Sequence, residues 1–222
     1  MVSTGGGIDT ALVDGCGLWC EILRPKHAEP RAALFIDRDG VLVEEVNYLS
    51  RPEDVALIPG AAATVRACNA VGIPVAVVTN QSGIGRGYFG WDAFAAVEAR
   101  IRDLLAAEGA ALDAVLACAY HDAVAAPYCR PDHPWRKPGA GMLRHAAELL
   151  NLDLARSWIV GDKVSDLEAG VAAGIAGGIA VRTGHGPGHV AASLALGSPT
   201  FPVRLLRSLA EVEATLPQLG LG

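Results

Sequence analysis

The sequence predicts an α/β domain, doubly wound and Rossmann-like, built on a parallel sheet. Short apolar runs of the kind found in buried strands occupy residues 33–37, 74–79, 113–119, 157–161 and 178–181. Continuous apolar runs of this length are typical of strands that are covered on both faces. Helical stretches alternate with these runs, and such alternation favours parallel strands joined by helices on both faces of one sheet. Ligands of such sheets bind beyond the carboxyl ends of the strands.

The helices are predicted from their apolar faces and from the glycines that follow them. One helix begins near Trp91 and ends at Gly109, and an earlier one spans 61–71 and is followed by Gly72. Glycine readily adopts the left-handed conformation that ends a helix. Further helices are expected at 142–150, 167–173 and 208–216.

The chain is predicted to form one main domain. Residues 1–31 contain a glycine run at 5–7 and two prolines but no sustained period, so we interpret them as an N-terminal arm or edge element. The domain itself covers 32–222. Residues 121–140 hold four prolines and are predicted to be a long irregular loop, which in a compact domain indicates function.

The composition indicates a folded protein that binds neither nucleic acid nor membranes. The chain has 222 residues, of which 51% are apolar and 19% charged, and its formal net charge is -6. It therefore has no broad basic field to hold a polyanion. Its longest run without polar side chains, 169–181, is shorter than the ~20 residues that cross a bilayer. With no evident signal peptide and an odd number of cysteines, we expect a cytoplasmic monomer.

Acidic residues follow two of the predicted strands. Asp37 and Asp39 leave the first strand within Asp37-Arg38-Asp39-Gly40, and Asp162 leaves the strand at 157–161. Two carboxylates so close together repel each other unless a proton or a cation lies between them, and a hard divalent ion resolves that conflict. A polar strand end is the alternative for an isolated pair. Asp166 falls in the first turn of a helix, where a capping or structural role is favoured over metal binding.

Two further motifs supply groups that bind phosphate. Thr79-Asn80-Gln81-Ser82-Gly83 follows the strand at 74–79, with Arg86 and Gly87 close behind, and Arg136-Lys137-Pro138 precedes a helix. Hydroxyl, amide and backbone N–H groups form a cradle for phosphate oxygens, although the first motif alone is also compatible with an ordinary turn. Together the motifs combine acidic groups, a hydroxyl and a lysine, as phosphoryl transfer requires.

These motifs, in this order, resemble the haloacid dehalogenase-like superfamily of aspartate-nucleophile phosphatases. The likeness covers residues 32–186 and is closest to the histidinol-phosphate and heptose-bisphosphate phosphatase family. The resemblance implies a Mg²⁺-dependent phosphatase of a small phosphorylated metabolite, the 7-phosphate of D,D-heptose 1,7-bisphosphate being favoured. Histidinol phosphate is the alternative substrate.

The resemblance also implies residue roles. Asp37 attacks phosphorus and forms an aspartyl-phosphate, while Asp39 protonates the leaving oxygen and later deprotonates water. Thr79 and Lys137 bind the transferring phosphoryl group. Mg²⁺ is held by Asp37, Asp162 and the backbone carbonyl of Asp39. Substrate contacts are implied for Asn80, Gln81, Arg86, Arg136 and Lys163.

The spacing of the motifs leaves no room for a cap domain. The 42 residues from Asp37 to Thr79 hold a loop, a helix and a strand, and the 58 from Thr79 to Lys137 hold a helix, a strand and the proline-rich loop. We therefore expect an open site. Val41 and Val43 stand where this family typically carries Thr and Asn, so the polar contacts made there are missing.

A zinc site typical of relatives is broken in this chain. Tyr120, His133 and Trp135 stand at three of the four ligand positions, and only Cys118 matches. A rearranged set has ligand types suited to tetrahedral zinc: Cys118, His121, Cys129 and His133. We expect the loop to pack without metal and keep structural zinc as the alternative.

Two functions of other classes use similar residues. A non-enzymatic phosphoacceptor module of the receiver type also has an acidic pocket, a hydroxyl and a lysine, but carries its acceptor aspartate at the third strand, whereas Asp37 follows the first strand of the core. A nucleic-acid end phosphatase shares the catalytic core, and the acidic balance of the chain disfavours it.

Overall fold

The computed structural model describes residues 11–221, so the first ten residues of the predicted N-terminal arm or edge element, with the glycine run at 5–7, lie outside the described residues. Seven strands form one sheet in the order β1-β4-β3-β2-β5-β6-β7. Only β1 runs antiparallel to its neighbour, and the other pairs are parallel. The strands are β1 (Leu18–Ile22), β2 (Leu34–Ile36), β3 (Val75–Asn80), β4 (Ala114–Cys118), β5 (Trp158–Gly161), β6 (Gly177–Val181) and β7 (Val203–Leu206).

Helices cover both faces of this sheet. The α-helices are α1 (Ala61–Ala70), α2 (Ser82–Gly85), α3 (Trp91–Ala107), α4 (Gly141–Leu150), α5 (Val164–Ala173) and α6 (Gly186–Ala195). Short 3-10 helices occupy Pro52–Asp54, Leu154–Arg156, Leu209–Glu211 and Glu213–Gln218. Within residues 11–221, no helix has the length and apolar character that a membrane crossing requires.

The core consists of two apolar layers, one on each side of the sheet. Successive residues of β2 and β3 alternate between the layers: Leu34 and Val75 face one, and Phe35 and Ala76 face the other. This alternation follows from the period of two along a strand. The first layer also contains the buried side chains of α1 and α3, and the second those of α4 and α5. The doubly wound fold predicted from the sequence is therefore confirmed.

The structure also corrects several predicted elements. The five predicted strands are present. β1 lies within the segment interpreted as an arm or edge element but was not predicted as a strand, and β7 was not predicted. Glu21 interrupts the apolar run of β1, and Arg204 interrupts that of β7, which is half-buried throughout. Neither strand therefore has a strong local pattern. The helix predicted at 208–216 is wrong, because two 3-10 helices lie there and Pro217 interrupts the second. Helix α6 was missed because Gly186, Pro187 and Gly188 begin it.

Tyr120 joins the N-terminal segment to the proline-rich loop. One carboxylate oxygen of Asp14 accepts the backbone N–H groups of Cys16, Gly17 and Leu18, and the other accepts the Tyr120 hydroxyl. The Arg130 guanidinium lies 4.5 Å from the centre of the Tyr120 ring. The same ring therefore packs against both segments, and its hydroxyl holds the first of them.

We expect Tyr120→Phe to lower the free energy of unfolding by about 1 to 2 kcal/mol, because one carboxylate oxygen of Asp14 loses its partner. Urea unfolding followed by circular dichroism measures this change. Tyr88→Phe is the matched control, because the Tyr88 side chain is exposed. Equal stability of the two variants would show that the Asp14 contact contributes nothing.

Candidate active site

The predicted site residues meet at one edge of the sheet. Asp37, Thr79 and Asp162 lie at the carboxyl ends of β2, β3 and β5, which are neighbours in the sheet. From β2 the chain continues to β3 on one side, whereas β5 lies on the other side of β2. The strand order therefore reverses at β2, and ligands of doubly wound sheets bind at such a position. An open cavity of about 740 Å³ lies there and is lined by Asp37, Thr79 and Lys137.

Three carboxylates form a buried cluster at the floor of this cavity. Asp37, Asp162 and Asp166 each place a carboxylate oxygen within 4.8 Å of the others. The buried ammonium of Lys137 lies 2.9 Å from Asp37 Oδ1 and 2.7 Å from Asp166 Oδ1, and it donates a hydrogen bond to the Val78 carbonyl. One lysine cannot balance three ionised carboxylates, so the cluster carries excess negative charge whenever all three are ionised.

Burial, and to a smaller extent the neighbouring carboxylates, shifts the pKa values of the cluster. Burial raises the pKa of Asp37 to about 6, and the charge of Lys137 opposes the rise. Burial likewise raises the pKa of Asp162 to about 7, with further contributions from Asp37 and Asp166. Burial lowers the pKa of Lys137, but the charges of Asp166 and Asp37 outweigh this effect and hold that pKa above its ordinary value. A bound cation would favour the ionised carboxylates.

The hydrogen bonds of the cluster indicate which oxygens are available to a metal ion. Asp162 Oδ2 accepts the N–H of His185, whereas Asp162 Oδ1 is buried without a hydrogen-bond partner among the described residues. Asp166 uses one oxygen to accept the N–H of Lys163 at the start of α5 and directs the other at Lys137. Asp37 and Asp162 therefore fit a divalent cation best. Both oxygens of Asp166 are already engaged, one by the Lys137 ammonium and the other by the backbone N–H of Lys163.

Two glycines allow the backbone to approach Asp162. Gly40 and Gly184 have φ angles of +80° and +55°. A Cβ at Gly40 would lie 2.6 Å from Asp162 Oδ2, and one at Gly184 would lie 2.7 Å from the Gly40 Cα. Any side chain at either position would displace the carboxylate or the facing loop.

Asp39 belongs to a second network beside the cluster. Its carboxylate accepts hydrogen bonds from Arg38 Nε and Nη2 at 3.0 to 3.2 Å and from Gln81 Nε2 at 2.9 Å. The Gln81 amide also donates to Thr79 Oγ1 at 2.9 Å. The Asp39 side chain is not part of the group formed by the other three acidic residues. Metal binding through its backbone carbonyl stays a prediction.

The predicted substrate-binding residues do not all line the cavity. Asn80, Gln81, Arg136 and Lys163 line it, whereas Arg86 is exposed and lies outside the lining that residues 11–221 provide. The Asn80 side chain both donates to the Lys137 carbonyl and accepts the Lys137 N–H, each at 3.0 Å. Asn80 therefore holds the backbone of Lys137. The substrate contacts themselves stay predictions.

Several residues of the site have no motif that would reveal them. The cavity is also lined by Asp122 and Asp132 of the proline-rich loop. Glu98 contacts Arg38 from the middle of α3. In the sequence, Glu98 is an ordinary helical glutamate, and only its burial distinguishes it. Val41 and Val43 are both buried in the core, which accounts for apolar side chains at these positions.

The proline-rich loop does not gather the residues of the zinc alternative. No three of Cys118, His121, Cys129 and His133 place ligand atoms within 4.8 Å of one another. His121 Nδ1 accepts the N–H of Ala123, and Cys129 Sγ contacts the Asp122 carbonyl at 3.4 Å. The geometry therefore gives the zinc alternative no support.

Comparisons with known proteins agree with this arrangement. A HAD-hydrolase-like family model matches residues 134–211. A D-glycero-beta-D-manno-heptose-1,7-bisphosphate 7-phosphatase from Mesorhizobium japonicum is 47% identical over 197 residues, which are 88% of this chain and 86% of that protein. A D-glycero-D-manno-heptose-1,7-bisphosphate 7-phosphatase from Thermosynechococcus vestitus is 46% identical over 63% of this chain and 73% of its own.

Solved structures show the same fold. A putative HAD-like phosphatase from Mesorhizobium loti has a TM-score of 0.80 and 45% identity, with 92% of this chain and 95% of that one covered. The D,D-heptose 1,7-bisphosphate phosphatase from B. bronchiseptica, solved with magnesium and phosphate, has a TM-score of 0.72 and 29% identity over 84% of this chain and 98% of its own. The identity and coverage place this chain in the D-glycero-D-manno-heptose-1,7-bisphosphate 7-phosphatase family of haloacid dehalogenase-like proteins.

Proposed function

We propose that this chain is a Mg²⁺-dependent phosphatase that hydrolyses the 7-phosphate of D-glycero-D-manno-heptose 1,7-bisphosphate. The observation that carries the proposal is the buried contact of Lys137 with Asp37 inside an acidic cluster with excess negative charge. Relatives that bear this activity in their names support the choice of substrate. The expected cytoplasmic location and monomeric state stay predictions.

In the proposed reaction, Asp37 is the nucleophile. One of its carboxylate oxygens forms a bond to phosphorus as the bond from phosphorus to the sugar oxygen breaks. Asp39 donates a proton to the departing sugar oxygen. Water then attacks the aspartyl-phosphate and loses a proton to Asp39. This second step releases inorganic phosphate and regenerates the Asp37 carboxylate.

The neighbouring residues supply positive charge and hydrogen bonds in both steps. Lys137 contacts Asp37 Oδ1 and is placed to stabilise charge on the transferring phosphoryl oxygens. Thr79 Oγ1 accepts a hydrogen bond from Gln81, so its own proton is available to a phosphoryl oxygen. Mg²⁺ held by Asp37 and Asp162 would screen the nucleophile from the phosphate charges.

The open cavity suits a sugar that carries two phosphates. Arg136 and Lys163 line it together with the catalytic groups, and both offer cations outside the reacting centre. Arg136 Nη1 donates a hydrogen bond to the Tyr120 carbonyl at 3.1 Å. We propose that Arg136 recognises the anionic group that is not hydrolysed.

A substrate panel tests the proposed function. With Mg²⁺ present, we expect the highest kcat/KM for heptose 1,7-bisphosphate and weaker turnover of heptose 7-phosphate and histidinol phosphate, because the second phosphate meets a cation. Phosphate release measures each rate. A preference for histidinol phosphate would replace the proposed substrate, and the absence of turnover on every ester would overturn the function.

Asp37→Asn is expected to abolish turnover and to leave the fold intact, because an amide is a poor nucleophile of nearly the same shape. Phosphate release and circular dichroism measure the two properties. Asp92→Asn is the matched control, since Asp92 is exposed. Retained activity would contradict the assignment of the nucleophile. A long-lived phosphorylated Asp37 in the unmodified protein would instead favour the receiver-type module.

The stabilising effect of Mg²⁺ is expected to grow as pH rises. Since the pKa values of Asp37 and Asp162 are raised to about 6 and about 7, the metal-free folded chain binds protons that the unfolded chain has released. Its stability therefore falls as pH rises from about 4 to about 7. Mg²⁺ bound by the ionised carboxylates would take the place of those protons, so the fall of stability with rising pH should disappear.

Thermal unfolding at pH 5 and pH 8, with and without Mg²⁺, measures this effect. We expect a larger Mg²⁺-induced rise of Tm at pH 8. In Asp162→Asn the rise should be much smaller at both pH values, because a metal ligand is missing. An equal rise at both pH values in the unmodified protein would contradict the proposed metal site.

A further inference from the structure

A line of charged side chains runs from the core to Asp39. Glu98 lies in the middle of α3 and has no exposed surface, and its Oε1 accepts a hydrogen bond from Arg38 Nη1 at 2.9 Å. Arg38 is 1% exposed and directs the other edge of its guanidinium, Nε and Nη2, at Asp39. The Asp39 side chain is 18% exposed. The line therefore begins inside the protein and ends at the cavity.

The packing around Arg38 leaves its side chain little freedom. The guanidinium lies 5.3 Å from the centre of the Phe94 ring, one turn before Glu98 on the same helix. Its two edges point in different directions, toward Glu98 and toward Asp39. A guanidinium is planar and rigid, so an anchor on one edge sets the direction of the other.

Burying the Glu98 carboxylate at this position is energetically unfavourable. Its Oε2 is buried without a hydrogen-bond partner among the described residues, and burial raises its pKa. Replacing a buried ion pair by apolar side chains of similar volume is often neutral or stabilising. Stability therefore gives little reason for the buried Arg38–Glu98 pair as a whole.

We propose that Glu98 is a positioning residue, which acts through Arg38 to hold the Asp39 carboxylate at the angle required for proton transfer. The proposal rests on the proposed function, in which Asp39 protonates the leaving oxygen. Gln81 Nε2 restrains the same carboxylate from the other side. Together the two contacts fix the plane of Asp39 without touching the acidic cluster.

The choice of leaving group separates this role from a structural one. A sugar alkoxide must be protonated as it leaves, whereas p-nitrophenolate leaves without a proton. The quantity kcat/KM reports on the steps up to the first irreversible one, which here is loss of the leaving group. A displaced Asp39 therefore lowers kcat/KM for the sugar phosphate, while general damage to the site lowers both values.

The experiment compares heptose 1,7-bisphosphate with p-nitrophenyl phosphate at saturating Mg²⁺. We expect Glu98→Met, which keeps the length of the side chain and removes its oxygens, to lower kcat/KM for the sugar phosphate about 10- to 100-fold. The loss for p-nitrophenyl phosphate should stay below about threefold. Glu98→Gln should restore most of the activity, since its amide oxygen can accept from Arg38.

Two controls complete the test. Asp103→Asn changes an exposed carboxylate on the same helix and should leave both rates unchanged. In an Asp39→Asn background, Glu98→Met should cause no further loss on the sugar phosphate, because the two residues act through one contact. Circular dichroism and Tm verify that each variant is folded.

Each outcome decides the proposal. A selective loss on the sugar phosphate, rescued by Glu98→Gln, supports it. Equal losses on both esters, unchanged rates on both, or a full further loss in the Asp39→Asn background would overturn it. If the unmodified protein hydrolyses p-nitrophenyl phosphate but no sugar phosphate, the proposed function fails, and the proposal about Glu98 fails with it.

Discussion

Charge balance at the carboxyl end of the sheet is the constraint on which the site depends. Three buried carboxylates share one buried ammonium, so the protein alone leaves the cluster short of positive charge. Burial of such a cluster is tolerable only if protons or a cation complete it. The same deficit of positive charge favours the binding of a divalent cation beside Asp37 and Asp162.

The fold separates the two aspartates that follow β2. Asp37 turns toward Lys137 and the acidic cluster, while Asp39 turns toward Arg38 and Gln81. Residues two apart within a strand would share a face, but β2 ends at Ile36 and the chain turns from Arg38 onward. Two carboxyl groups can therefore stand near one substrate and keep different partners, as a nucleophile and a proton donor require.

Much of this arrangement follows from the sequence. The five buried strands have strong apolar runs, and the acidic, hydroxyl and lysine motifs stand at their ends, so both fold and site region could be predicted. The edge strands could not, because Glu21 and Arg204 interrupt their short apolar runs and β7 is only half-buried. Glu98 could not be found either, since nothing local distinguishes a helical glutamate that pairs with a buried Arg38 60 residues earlier. The zinc alternative shows the converse case: suitable residue types lie near one another in sequence, but no three of them bring ligand atoms within 4.8 Å of one another.

The two glycines around Asp162 divide the site into parts that differ in evolutionary freedom. Gly40 and Gly184 meet across the carboxylate with no space for a methyl group, so neither position can accept another residue while the aspartate stays in place. Two other loops line the same cavity through the half-buried Glu45 and the exposed Asp132. Substitutions in these loops can alter which sugars bind while Asp162 and the two glycines stay unchanged. The scaffold is therefore suited to diversification and to directed engineering at the loops.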